Sequence, residues 1–247
     1  MNGEAPFGAE RQVLRVCDCR LALGSSTWDF AQERGAEIEE HWARRKAENP
    51  AFFNGSILVM RSPRIVDGTF FAELIETDFR AYLFWRETGF PAAGVFDGFG
   101  AGLIRSADGY VLLGRQGAGN LNAGLAYLPG GFIDRRDVKD DDSIVIDESI
   151  ARELVEETGL DAGDLQRRPG YYVTVCDSKI SIAVEFRSAL TADALRLKML
   201  DKIGGQDDPE LDDVIAVSRS EMGSSLAVAD YVRVLLPEVF SEAADGQ

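Results

Sequence analysis

The sequence predicts an α/β protein in two parts: a small mixed α/β N-terminal unit over residues 1–92 and a larger α/β unit over 93–247. Three observations carry this reading. Apolar, strand-like runs flank Asp-Gly pairs at Asp67-Gly68 and Asp108-Gly109, the strongest short-range turn signal. Helix-length segments open after Ser, Thr or Asp and stop at Gly or Pro. A glycine- and alanine-rich stretch over 91–102 separates the two sets of elements and reads as a junction.

In the first unit, 13–23 reads as one strand. Ser26 or Thr27 caps a helix over 28–48, closed by Asn49-Pro50, because the residue before a proline is pushed out of helical geometry. Runs 57–60 and 69–75 are strands joined at Asp67-Gly68. Thr77 or Asp78 caps a second helix over 79–87, ended by Gly89 and Pro91. Phe52, Phe53, Tyr82, Phe84 and Trp85 are expected in its core.

In the second unit, 102–105 and 110–114 form a hairpin across Asp108-Gly109. A Gly/Asn loop covers 116–124, and 127–128 is a short strand into Pro129-Gly130-Gly131, where paired glycines permit a tight turn. A helix ends at Gly159, a natural C-cap. Strands at 171–176 and 179–186, a strand at 214–217 and a helix over 226–239 complete the chain.

The chain has 42 acidic against 26 basic residues, a net charge of −16. That balance argues against binding nucleic-acid backbones or anionic membranes, which needs basic patches. The three cysteines, Cys17, Cys19 and Cys176, form no disulfide or zinc framework and fit a reducing compartment. No signal peptide and no apolar run of 18 residues is visible, so a cytoplasmic protein is expected. A dimer is allowed by the sequence and not specified by it.

The most informative segment is R-E-L-V-E-E-T-G-L at 152–160. Glu153, Glu156 and Glu157 fall at i, i+3 and i+4, on one side of a helix, where like charges repel. A solvated acidic face would tolerate this, and a divalent cation would turn repulsion into coordination through hard oxygen ligands. Together with the preceding Gly-Gly turn, the segment resembles the Nudix box, G-x5-E-x7-R-E-U-x-E-E-x-G-U, with Gly131 as the opening glycine. The middle departs from that pattern. Asp137 stands six residues after Gly131, and fourteen residues separate it from Arg152 where the family has seven. The surplus equals about two helical turns. It would either lengthen the helix, with Asp142 or Ser143 as N-cap, or enlarge the loop. Asp137, Asp142 and Glu148 are all candidates for the first box acid.

The resemblance implies a Nudix α/β/α sandwich with a mixed sheet, and hydrolysis of the diphosphate bond in a nucleoside diphosphate linked to another moiety. It implies that Glu153, Glu156 and Glu157 hold Mg²⁺, or Mn²⁺, with the Gly131 carbonyl close by. Arg152 would pair with a box carboxylate, or else form an ordinary surface ion pair. Gly130 and Gly131 shape the turn. Arg115, with Arg105 and Arg187 at other strand ends, is a candidate to meet substrate phosphates. Glu210, in the acidic run 207–213, is the candidate general base by position. Glu185 alternates with apolar neighbours on a strand and faces a cleft or solvent. The single histidine, His41, is far from the box and is not expected to be catalytic. Glu157 is expected to be a surface carboxylate.

Within the family, the front unit, with Trp42 and the run 49–55, resembles the UDP-sugar pyrophosphatases, which release UMP and a sugar 1-phosphate. ADP-ribose, other nucleotide sugars and dinucleoside polyphosphates remain open as substrates. A different class, a non-catalytic Nudix-fold ligand sensor, usually lacks the box glutamates that this chain keeps.

Overall fold

In a computed structural model, described over residues 7, 11–222 and 226–245, the chain forms twelve strands and six α-helices among the described residues. They are β1 (Gln12–Val16), β2 (Asp18–Leu23), α1 (Asp29–Glu33), α2 (Gly35–Glu48), β3 (Ser56–Val66), β4 (Thr69–Asp78) and α3 (Phe79–Glu87). Next come β5 (Asp97–Arg105), β6 (Val111–Gln116), β7 (Ala126–Tyr127), a 3-10 turn at Arg135–Asp137, β8 (Ser143–Ile144) and α4 (Ile146–Thr158). The last are β9 (Gln166–Arg167), β10 (Tyr171–Cys176), β11 (Lys179–Arg187), α5 (Ala192–Gly204), β12 (Leu211–Val217) and α6 (Asp230–Asp245).

The larger sheet runs β1-β10-β11-β5-β6-β12, with β7 on β6 and β9 on β11. It is mixed: β11 and β5 are parallel and the other neighbours antiparallel. The smaller sheet runs β3-β4-β2-β8, with β2 parallel to β4.

Strand β5 shows how the layers meet. Side chains alternate across a strand. A Cβ on Gly100 would lie 2.7 Å from Ile150 Cγ1, and one on Gly102 would lie 2.5 Å from Leu154 Cδ2, both on α4. Phe99, facing the other way, packs edge-on against Tyr231 of α6. Helices α4 and α6 therefore cover opposite faces. A Cβ on Gly159, at the end of α4, would meet the Lys202 side chain of α5 at 2.8 Å, so α5 lies beside α4. This is the α/β/α sandwich with a mixed sheet that the Nudix resemblance implies. The glycines of β5 correct the expected junction: Gly98, Gly100 and Gly102 are strand residues kept small so that Met60 and α4 can touch the sheet.

Other boundaries differ for identifiable reasons. The run 13–23 is two strands. At Cys17 the backbone N–H donates to Gly68 O (2.7 Å), and β1 and β2 enter different sheets. The helix expected over 28–48 is α1 and α2, meeting at Arg34 and Gly35. Neither Ser26 nor Thr27 caps it. Trp28 holds the N-cap position while its ring is buried and Nε1 donates to Ala93 O (3.1 Å). Asp78 caps α3 by accepting from Ala81 N–H. The box helix starts at Ile146, behind Val145, not behind Asp142 or Ser143. The surplus residues of the box are spent on a turn at 139–142 and on β8, which pairs with β2. Helix α5 has no counterpart among the expected elements; Thr191 caps it by accepting from Ala194 N–H.

Backbone pairing crosses residue 92 in several places. β1 completes the larger sheet, Met60 and Phe96 exchange hydrogen bonds, and Leu58 N–H donates to Ile133 O (3.2 Å). One apolar core takes in Leu58, Met60 and Leu74 together with Leu103, Ile150 and Leu235. A second gathers Trp28, Ile38, Tyr82 and Trp85 around α2 and α3.

Candidate active site

The turn at Gly130-Gly131 is pressed onto β5. Gly102 N–H donates to Pro129 O (2.7 Å) and Gly100 N–H to Gly131 O (3.3 Å). A Cβ on Gly130 would lie 2.2 Å from Gly100 O, so only glycine fits there. A Cβ on Gly131 would lie 2.8 Å from Glu153 Oε2, so the first glutamate of the helix lies directly against the turn.

Helix α4 presents its acids unequally. Glu156 is exposed and Glu153 half-buried, while Glu157 is only 5% exposed. Glu157 Oε1 accepts from Gly130 N–H (3.4 Å), and Oε2 is buried with no hydrogen-bond partner. Burial, reinforced by the charges of Glu210 and Glu153, pushes its carboxyl well above the usual range. Burial also raises Glu153, against the pull of Arg152. The expectation of a surface carboxylate at 157 is thus corrected: position i+4 of the triplet turns under the helix toward the sheet.

Arg152, half-buried, gathers three carboxylates. Its Nη2 donates to Asp137 Oδ1 (2.9 Å), its Nη1 to Glu153 Oε1, and Nη1 lies 3.7 Å from Glu156 Oε2. Asp137 is itself fixed. Its Oδ2 accepts from Ser149 Oγ (3.0 Å) and Asp134 N–H (3.0 Å), and its side chain is 4% exposed. Of the three candidates for the first box acid, Asp137 alone reaches the cluster. Glu148 pairs with Lys139 at the surface, and Asp142 lies in a turn at φ 62°.

Glu210 comes to the same place from the loop before β12. Its Oε1 accepts from Gln116 Nε2 (2.8 Å) and from Tyr127 Oη (3.2 Å). Its charge acts on Glu157, Glu153 and Tyr127. Tyr231 Oη accepts from Leu128 N–H (3.1 Å) just before the Gly-Gly turn and feels the Glu157 charge. Gln116, Tyr127 and Tyr231 were not singled out from sequence; Tyr127 alone had a signal, its place two residues before Pro129.

The three arginines separate. Arg115 pairs with Asp212 (2.7 Å) and approaches Asp213 (3.6 Å) at the sheet end that carries Glu210. Arg105 is buried, with Nη2 donating to Val239 O (2.8 Å) and Nε 3.4 Å from Glu185. Glu185, also buried, takes a hydrogen bond from Arg187 (2.8 Å). Arg105 and Glu185 therefore tie β5 and β11 to α6 and face neither a cleft nor solvent. His41 is buried and joins α2 to α3 through Glu87 (2.7 Å). A cavity of about 320 Å³ opens beside it, lined by Glu37, Glu40, Arg44 and Glu87, and no box residue lines it.

Among the described residues, no three His, Cys, Asp or Glu side chains stand ready as a closed metal cage. The box oxygens are instead partly engaged by Arg152 and Gly130. Their chemistry still suits a hard divalent cation: all donors are oxygens, one is buried without a partner, and like charges crowd it.

No family model matches the chain, and no curated protein matches it. Solved structures do. A Nudix hydrolase from M. smegmatis, RenU, matches at 16% identity over 64% of this chain and 93% of that one, with a TM-score of 0.43. The MutT protein from Methanosarcina mazei Go1 matches at 22% identity, 62% and 96% coverage, and TM-score 0.36. The NUDIX domain of Shewanella oneidensis NrtR, complexed with ADP ribose, matches at 17% identity, 66% and 97% coverage, and TM-score 0.38. These neighbours are Nudix proteins. The box at 152–160 is what ties the chain's own residues to that resemblance.

Proposed function

We propose that this chain is a Mg²⁺-dependent hydrolase of the diphosphate bond in a nucleoside diphosphate linked to a second moiety, with UDP-glucose or UDP-galactose as substrate. One observation carries the reading. Glu157 is buried with an unpartnered oxygen beside the charges of Glu153 and Glu210, an arrangement unfavourable in the free protein and relieved by a cation. Glu153 and Glu157 would hold the ion, with Glu156 on the outer side; Gly131 lies against Glu153 while its carbonyl accepts from Gly100 N–H on β5. Bound Mg²⁺ supplies neutralisation of the phosphate oxygens and a lowered pKa for the attacking water.

The chain's own residues do the rest. Asp137 anchors Arg152, and Arg152 holds Glu153 against the turn. Gly130 N–H fixes Glu157. Water attacks phosphorus. Its proton passes to Glu210, and the bridging P–O bond breaks with its electron pair leaving on the departing phosphate. The front unit reaches the edge of the site: Asn49 and Arg86 contact the loop between β6 and β7 that borders Glu210.

The test is a panel of UDP-glucose, UDP-galactose, ADP-ribose and a dinucleoside polyphosphate with Mg²⁺, products separated by chromatography. UMP and sugar 1-phosphate are expected. Turnover of ADP-ribose alone would remove the UDP-sugar assignment and keep the hydrolase. Tight binding of one compound with turnover of none would replace the enzyme by a ligand sensor.

A further inference from the structure

We infer that Tyr127 and Gln116 are positioning residues that clamp one oxygen of Glu210 and leave the other to take the proton from water. The inference rests on the proposed reading of Glu210 as the base. Glu210 is exposed and sits in an acidic loop, where a free side chain would sample many rotamers. A base that wanders by an ångström loses most of its effect. Here two buried side chains on sheet residues, Gln116 at the end of β6 and Tyr127 in β7, converge on the same atom, Oε1, at 2.8 and 3.2 Å. Oε2 has no hydrogen-bond partner among the described residues. The backbone of Glu210 is pinned as well: its carbonyl accepts from Gly117 N–H (2.8 Å) and Asn120 Nδ2 (3.3 Å).

The donors are neutral. A phenol and an amide fix the direction of the carboxylate without placing a charge beside it. The amide cannot flip, because Gln116 Oε1 is occupied by Asn122 N–H (2.5 Å). Asn122 Oδ1 in turn accepts from Arg86 Nη2 (2.8 Å) on α3. The clamp is therefore braced from the front unit.

The test compares wild type, Tyr127→Phe, Gln116→Leu, Glu210→Gln and the two double variants, with Mg²⁺ and the panel compound that wild type turns over fastest. Each clamp variant should lower kcat about ten- to a hundredfold, the loss of one hydrogen bond to a charged group, with KM nearly unchanged. Neither clamp change should lower the rate further once Glu210 is Gln. Mn²⁺ affinity measured by calorimetry should match wild type in Tyr127→Phe. Additive losses in the double variants would overturn the inference, as would a raised KM at unchanged kcat or weakened Mn²⁺ binding. Tyr127→Phe removes only a hydroxyl and carries the test if Gln116→Leu does not fold. Full activity in Glu210→Gln, or no turnover by wild type, would remove the base assignment and the inference with it. Inactive Glu210→Gln beside an unaffected Tyr127→Phe would remove the inference alone.

Discussion

Glu157→Gln is the most discriminating single change, because its effects on stability and on activity should have opposite signs. Glu157 is 5% exposed, its Oε2 lacks a hydrogen-bond partner, and Glu153 and Glu210 repel it. One unsatisfied buried polar group costs about 1–3 kcal/mol. Glutamine keeps the oxygen that accepts from Gly130 and turns an N–H₂ toward the neighbouring carboxylates. The variant should therefore be more stable in EDTA by about 1–3 kcal/mol, a rise in Tm of roughly 2–12 °C for a chain of this size. The sign with pH follows from the raised carboxyl. A folded-state pKa above the unfolded value of about 4.5 means that the folded state prefers the protonated form. The destabilisation is absent below the unfolded pKa, grows as pH rises through the folded one, and is complete above it. The gap between variant and wild type should thus be small at pH 4 and larger at pH 8. Mg²⁺ at a hundred times its Kd should then raise wild-type stability by about 2.7 kcal/mol and the variant's by less. Turnover by the variant should vanish. Thermal denaturation in EDTA and in Mg²⁺, at both pH values, reads all of this. A variant less stable than wild type in EDTA at pH 8, or a gap largest in acid, would refute the electrostatic argument.

Three further outcomes are expected. Gly130→Ala places a methyl 2.2 Å from Gly100 O, so the turn must leave β5; urea unfolding should show a loss of about 1–3 kcal/mol. Arg105→Ala removes the buried hydrogen bond to Val239 O and leaves Glu185 paired with Arg187 alone; it should cost about 1–3 kcal/mol by the same measurement. Asp137→Asn keeps the shape of the Arg152 anchor without its charge, and Mn²⁺ affinity by calorimetry should fall about tenfold or more.

The box helix was legible because its signals are local. Three glutamates at helical spacing and a glycine at the C-cap need no knowledge of the rest of the chain, and Gly159 does adopt the left-handed geometry at φ 69°. The glycines of β5 were not legible for the converse reason. A Gly-rich run reads as a junction unless the helix that must touch it is in view, and Ile150 and Leu154 lie about fifty residues on. Burial of Glu157 was hidden in the same way. In sequence it is one more acid beside Glu156; only the sheet beneath α4 makes one of the two solvated and the other buried. The Gly/Asn loop at 116–124 holds the backbone of Glu210 through Gly117 N–H and, through Asn122, orients Gln116.

The seven surplus residues of the box acquire a purpose in this light. A loop lengthened at a site that depends on fixed carboxylates would ordinarily add freedom there. Here the insertion closes on itself: Val138 bridges Ile144, and β8 then pairs with β2. Asp137, at the head of the insertion, is locked by Ser149 and Asp134 before it meets Arg152. On the far side of the cluster, Arg86 braces the loop that orients Gln116 toward Glu210. The metal side and the base side of the proposed site are thus both tied to strands and helices that precede residue 92. Loosening β2 or α3 should therefore disturb chemistry that neither element touches directly.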